Sequence, residues 1–517
     1  MTLSLLPTAF LQMSQIIPQG VDYIRILPEL VLTAFGILVM VLEPVVDERN
    51  SQKVLGWIAF VGTLTGLGST WYMSMSPGLA FSSMVRVDAF SVFFHFVVIA
   101  IAAVVILSSF EYMAVQRIRA GEYYALVLFG VVGAALMSSA IELVLIFIAL
   151  EISSISSYIL AGFRRNEAAS SEASLKYFLL GSFATAFFLY GVALMFGATG
   201  STNIDVISRT LVAAPVPLLV YIAMVLLLIG LGFKVGAAPL HIWTPDVYEG
   251  SPAPVVGFMS TAPKMAAFAV LLRVVFAINA PGRFWLIWVG AALSMTLGNV
   301  SALVQNNVKR LLAYSSIAHA GYLLMAFAMT SPETSAAGVS SAMFYAASYA
   351  AMNVGAFAVV THFANAGERY VTLEDYEGLG RTSPLLAATL TIFLLSLIGI
   401  PMTGGFFAKF YVFSAAMKAH LVWLTVIGVV NSAIGSYYYL RIIVMMYMRE
   451  ARKPAPVTPI PAALGLALAL SILATLYLGI LPNGVLRYAQ ESAQELLAPP
   501  SGTQIPADVQ AQTALPQ

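Results

Sequence analysis

Residues 226–250 read LLLIGLGFKVGAAPLHIWTPDVYEG. Lys234 stands inside an apolar run, and Pro239, His241 and a burst of polar residues follow at once. At the centre of a lipid-embedded helix an ionised side chain costs roughly 2.5–3.5 kcal/mol, so residues kept there face a polar interior and serve ions or protons.

Composition says which solvent surrounds that run. Of 517 residues, 60% are hydrophobic and 9% are charged. A soluble domain carries about a quarter charged residues. Apolar runs of around 20 residues recur, each long enough to cross a hydrocarbon core of about 30 Å as a helix. They do not alternate as barrel strands do, which leaves helices as the spanning element. The fold class is therefore an all-α polytopic membrane protein. The absence of cysteine excludes thiolate iron–sulfur ligation, zinc–thiolate sites and disulfides. The net charge of +1 says nothing about nucleic acid, and no basic cluster suggests it. The first residues, MTLSLLPTAFLQMSQ, lack the positive flank of a signal peptide and are expected at the interface or in a first span.

About 14 transmembrane helices are expected, near 24–43, 54–75, 89–109, 122–139, 142–162, 173–197, 215–243, 253–278, 284–303, 310–330, 338–364, 384–416, 420–447 and 459–481. Beyond Pro482 the chain reads as a polar tail with a disordered end. Arg49, Lys53, Arg117, Arg119, Arg164, Arg165, Lys309, Arg310, Arg369, Arg381, Arg449, Arg452 and Lys453 fall on one set of alternate loops. The other set offers mostly single cations: Arg86, Arg209, Arg283, Lys418 and Arg487. The positive-inside rule puts the first set in the cytoplasm and both termini outside.

The seventh span contains Pro239, and the twelfth is interrupted by Pro401, Gly404 and Gly405. Proline removes a helix hydrogen bond and glycine loosens the ladder, so both are expected to break within the membrane. Each is the fourth of five spans, and paired breaks at matching positions point to two inverted five-helix repeats around a midplane site. The expected division is 1–121 for three leading helices, 122–278 and 279–448 for the repeats, and 449–517 for the last helix and tail.

Four ionisable residues lie at depth or at a break: Glu151 in LVLIFIALEISSISSYIL, Lys264 after Pro263, and Lys234 and Lys409 beside the interruptions. Snorkelling suits Lys309, Arg310 and Arg164 at the boundary, but Glu151 is too short to reach an interface. His319, about ten residues into its span, is either a hydrogen-bonded core histidine or a proton carrier. Glu142 begins the fifth span, where a carboxylate favours the helix N-terminus; Arg273, Asn299, Asn353 and Asn431 are read as packing or hydrogen-bonding groups. Burial disfavours a charged lysine and a nearby carboxylate restores it, so a movable partner changes proton affinity. Lysine, unlike arginine, responds readily.

FKVGAAPLHIWTPDVYEGSPAPVVGFMSTAPKMA, VQNNVKRLLAYSSIAHAGYLL, GIPMTGGFFAKFYVF and SAIGSYYYLRI together resemble the antiporter-like proton-translocating membrane subunits of bacterial respiratory complex I, the NADH–quinone oxidoreductase, over residues 20–485. The resemblance implies 14 helices with inverted repeats and an ion pair between Glu151 and Lys234. It implies relay roles for Lys264 and Lys409, assisted by His241 and His319. It also implies no cofactor in this chain, with flavin and iron–sulfur clusters in partner subunits that oxidise NADH and reduce quinone. The place is then the bacterial inner membrane, in contact with the other membrane-arm and peripheral subunits. A subunit of a multi-subunit sodium/proton antiporter, a plastoquinone-linked relative and a non-pumping scaffold remain alternatives. The glycines of GLGFKVG do not follow a strand, so they form no nucleotide loop.

Overall fold

A computed structural model describes residues 18–46, 48–116, 120–213, 216–278, 282–364, 366–450 and 459–498. After the single turn α1 (Gly20–Arg25), the chain forms α2 (Leu27–Leu42) and α3 (Glu48–Ser74). A short antiparallel hairpin, β1 (Gly78–Ala80) and β2 (Val85–Val87), leads into α4 (Ala89–Gln116). α5 (Ala120–Ser139), α6 (Leu143–Ala161), α7 (Ala168–Thr199) and the short α8 (Ile204–Ala213) follow. Next come α9 (Leu218–Val235), α10 (Trp243–Gly250), α11 (Ala253–Met259) and α12 (Ala262–Ala277). α13 (Arg283–Leu303), α14 (Val308–Phe327) and α15 (Pro332–Ala364) precede the small α16 (Leu379–Thr382). The chain closes with α17 (Pro384–Ile398), α18 (Gly404–Lys418), α19 (Val422–Met448), α20 (Ala462–Ile480) and α21 (Asn483–Leu497).

Helices dominate because only a helix satisfies its own backbone polar groups where no water competes. Eleven described stretches are long and apolar enough to cross a membrane, and α2 and α17 are shorter apolar rods. Residues 253–275 are all buried, whereas α7 and α19 leave most of their residues open to the surroundings. Those open residues are large and apolar, among them Leu179, Phe183 and Val430, as an acyl-chain solvent requires. α13 and α14 pack at near backbone contact: a Cβ on Gly298 would stand 2.6 Å from the Ala318 nitrogen, and one on Gly321 2.6 Å from the Met295 nitrogen.

Three expectations need correction. The seventh span does not run to residue 243. α9 stops at Val235, residues 236–242 are non-helical, and WTPDVYEG is a separate helix, α10. The region beyond Pro482 is not simply a polar tail, because α21 folds back against α4 and α15. There Glu495 accepts from the Ala89 nitrogen at 3.0 Å and Tyr488 donates to the Ala89 carbonyl at 3.2 Å. Lys309 does not snorkel: it is 1% exposed and bound to Glu368 at 2.5 Å. The expected disordered end and the first 17 residues lie outside the described residues.

Candidate functional site

The site starts where α9 stops. Gly236 adopts φ +70°, a conformation open mainly to glycine. Its N–H reaches the Phe233 carbonyl at 3.0 Å, and the Ala237 N–H reaches Gly232 at 2.9 Å. This is a Schellman closure, which satisfies helix-end carbonyls. The Trp243 indole N–H also donates to the Phe233 carbonyl, at 3.0 Å.

Lys234 therefore sits in the last turn of a helix whose end is buried. Its ammonium donates to Ser154 Oγ at 2.8 Å and lies 5.8 and 5.7 Å from the Tyr158 and Tyr177 ring centres. Ser154 passes its own proton to the Leu150 carbonyl and so accepts from the lysine. Glu151 stands one turn earlier on the same helix, with Oε1 buried and without a hydrogen-bond partner. Among the described ion pairs none joins Glu151 to Lys234: Ser154 occupies the ammonium instead.

Lys264 occupies the first turn of α12 and is 2% exposed. It donates to Ser316 Oγ at 2.5 Å and to the Ser316 carbonyl at 3.3 Å. A Cβ on Gly236 would lie 3.5 Å from its Nζ, so the end of α9 and the start of α12 meet at this ammonium. Ser316 belongs to α14, where Ser316, His319 and Tyr322 follow at three-residue spacing, close to one helical turn. His319 Nδ1 meets the Tyr345 hydroxyl at 2.7 Å and Nε2 meets the Tyr439 hydroxyl at 3.2 Å. Tyr439 is in turn bonded to Ser315.

Lys409 completes the row. Its Nζ donates to the Leu397 and Ile398 carbonyls at 3.0 and 2.9 Å and to Ser432 Oγ at 2.9 Å, and it lies 5.1 Å from the Tyr322 ring centre. Those carbonyls are orphans created by the end of α17, and a cation suits that end of a helix dipole. Gly405 lets α18 start against this end, since a Cβ there would stand 1.8 Å from the Ser396 carbonyl oxygen.

Of the six residues singled out, five fall in one file: half-buried Glu151 and buried Lys234 on one side, buried Lys264 and His319 in the middle, buried Lys409 at the far end. His241 is not brought to them. It lies half-buried in the 236–242 connection, with Nδ1 buried and unbonded. Reading the sequence missed Ser154, Ser316, Ser432, Tyr345 and Tyr439. Of these only Ser316 carried a signal, its three-residue spacing from His319.

Several secondary readings gain partners. Glu142 is the N-cap of α6, accepting from the Leu145 nitrogen at 2.7 Å. Asn299 bonds the Tyr322 and Tyr438 hydroxyls, Asn353 donates to Ser260 and Asn431 to Thr296. Arg273 forms a two-pronged pair with Asp88 at 2.8 and 2.9 Å. Arg310 holds Asp246 and Glu249 at 2.7 and 2.8 Å.

The chain is similar to known membrane proteins over most of its length. A family model described as NADH:quinone oxidoreductase/Mrp antiporter, TM, matches residues 140–435. NADH-quinone oxidoreductase subunit N 2 of Koribacter versatilis is 64% identical over 485 residues, covering 92% of the chain and 98% of that relative. Subunit N of Trichlorobacter lovleyi is 43% identical with the same coverage. Among solved structures, a chain of respiratory complex I from Thermus thermophilus with bound aureothin is 37% identical, with a TM-score of 0.75, over 89% of this chain and 98% of that one. A chain of the Mrp complex from Dietzia has a TM-score of 0.80 but 22% identity, over 94% and 99%, a likeness of fold alone.

Proposed function

Because the chain belongs to the NADH:quinone oxidoreductase/Mrp antiporter membrane family, within its subunit N group, we propose that its buried file carries protons across the membrane in step with quinone reduction elsewhere in the assembly. The carrying observation is that Lys234, Lys264 and Lys409 are all buried, yet none has a carboxylate partner among the described ion pairs. The charge state of such a group is set by what its neighbours do.

Each contact has a role in that reading. Ser154 and Ser316 hydroxyls accept from the lysines and can hand a proton on. His319, with a tyrosine hydroxyl at each ring nitrogen, can take a proton at one face and release it at the other. Glu151 supplies the negative charge that, on swinging toward Lys234, would hold a proton there. His241 assists at the break, where helix ends admit water.

The chain is a multi-pass membrane protein, read here as residing in a bacterial inner membrane with both termini outward. Residues 122–278 and 279–448 form the two inverted repeats, a reading supported by the matching interruptions after Val235 and Ile398. The redox groups, flavin and iron–sulfur clusters, belong to partner subunits. The sodium/proton antiporter reading draws on the shared family model and a fold likeness at 22% identity, against a 64% identical subunit N relative.

The test uses the assembled complex in vesicles. Glu151→Ala and Lys234→Ala should each lower proton-pumping-linked turnover at least fivefold without loss of the subunit from the complex. Full activity in both would refute the relay.

A further inference from the structure

Away from the lysine file, five polar groups meet where α2 and α4 begin and α5 and α12 end, the end the charge distribution assigns to the exterior. His95 is fully buried, with Nε2 2.9 Å from Glu29 Oε1. Its Nδ1 lies 2.7 Å from the Ser91 carbonyl and 2.9 Å from Ser138 Oγ. A carbonyl can only accept, so Nδ1 carries a hydrogen. Ser138 directs its own hydrogen to the Ala135 carbonyl at 2.7 Å, which leaves its oxygen accepting from the same Nδ1–H. The short Nε2···Oε1 contact therefore holds one further proton, as imidazolium with carboxylate or as imidazole with carboxylic acid.

Loss of that proton leaves two lone pairs facing each other and a negative charge on a buried carboxyl whose second oxygen, Oε2, has no partner. Arg273 reaches the cluster only through Ser138, whose carbonyl accepts from its Nε at 3.1 Å, and its other nitrogens are paired with Asp88. Arg273 rides on the same helix as Lys264, nine residues on, or about 13–14 Å along the axis. The other charges around this end are Arg86, paired with Asp205, Arg25 and Asp22 just before α2, Glu142 just after α5, and Arg487, Glu491 and Glu495 on α21. The outer halves of α3 (62–74) and α5 (130–139) contribute none.

We propose that Glu29 and His95 form a second proton-binding site, distinct from the lysine file, which takes up and releases a proton at the end of the bundle where α4 begins. The site changes from neutral to singly negative as the proton passes to water beyond Asp88. This deepens the relay reading and rests on it for the proton supply.

The experiment uses the assembled complex carrying Glu29→Gln, reconstituted in vesicles. Pumping rate against pH and the pH-induced infrared difference spectrum are both recorded. The expected result is loss of one titrating carboxyl or imidazolium band, and a pumping rate at least threefold lower on the alkaline side. His95→Gln should remove the same band. A variant that assembles with unchanged spectrum and pH profile overturns the site. Should both variants fail to assemble, Ser138→Ala, which deletes one oxygen, decides: a shifted profile supports the site and an unmoved one sinks it. Lys234→Ala separates the two readings, because it should stop pumping yet leave the Glu29 band in place. Normal pumping in Lys234→Ala with a lost band in Glu29→Gln would refute the relay while keeping the proton-binding pair.

Discussion

Lys264 and Lys309 are both buried, and what faces each ammonium separates their roles. Lys309 has the Glu368 carboxylate at 2.5 Å, while Lys264 has only the oxygens of Ser316. Burial pulls the Glu368 carboxyl up, but the Lys309 ammonium, the Tyr112 hydroxyl and the Ala253 N–H outweigh it and hold the group below its ordinary value. A depressed carboxyl contributes stability that is full above the unfolded value near 4.5 and lost as pH falls through the folded one. Thermal unfolding in detergent should accordingly be flat above that value and decline below it. Glu368→Gln should flatten the decline and cost about 3–5 kcal/mol, since it strands a buried ammonium. An unchanged melting curve would dismiss the clamp. At Lys264 the expectation concerns proton release, not charge. Lys264→Arg should lose pumping-linked turnover at least tenfold although it keeps a cation, because a guanidinium does not give up its proton. Wild-type turnover in that variant would remove Lys264 from the route. The lysines were legible in the sequence because a charge in an apolar run is rare. Their serine and tyrosine partners were not, because such residues are common in membrane helices and only packing selects among them. Asp88, Glu29 and His95 escaped notice for the opposite reason: they sit near helix starts, where a polar residue is unremarkable.

Among the elements, the interruptions were legible and their edges were not. Proline and glycine announced a break in the seventh span, but Pro239 lies four residues beyond the true end of α9. A left-handed Gly236 sets that end, and φ is not written in the letters. Close approach governs the second break. Gly405→Ala should drive the start of α18 off the end of α17, displacing the Ser396 carbonyl and pulling Lys409 from its acceptors. The expected outcome is a lowered melting temperature and at least tenfold weaker pumping. Gly68→Ala on α3 serves as the contrast, because nothing lies within 4 Å of a Cβ added there. It should leave the protein unharmed or stabilise it by up to about 1 kcal/mol. Equal effects from both substitutions would show that the α17–α18 junction is not tightly defined.

For the whole molecule, composition decided the solvent and charge placement gave a direction. Neither told which helices would be enclosed: the stretch Ala253–Ala277 is less apolar than α7, yet it lies in the middle while α7 stays open to the surroundings. The direction is open to measurement because the chain contains no cysteine. Met84→Cys, near the hairpin, should react with an impermeant maleimide added outside cells. Arg381→Cys, 73% exposed at its side chain, should react only after the membrane is opened. The reverse pattern would invert the assignment of sides. The expectation of inverted repeats rests on the two breaks alone.

One helix has a consequence for timing. Ser316, which takes the hydrogen bond of Lys264, and Tyr322, whose ring lies under Lys409, are two turns of a single stiff rod, α14, with His319 between them. A twist or slide of that rod loosens both couplings together, as a camshaft moves several valves. In the proposed relay, a substitution at either end of α14 is therefore expected to disturb both lysine contacts together.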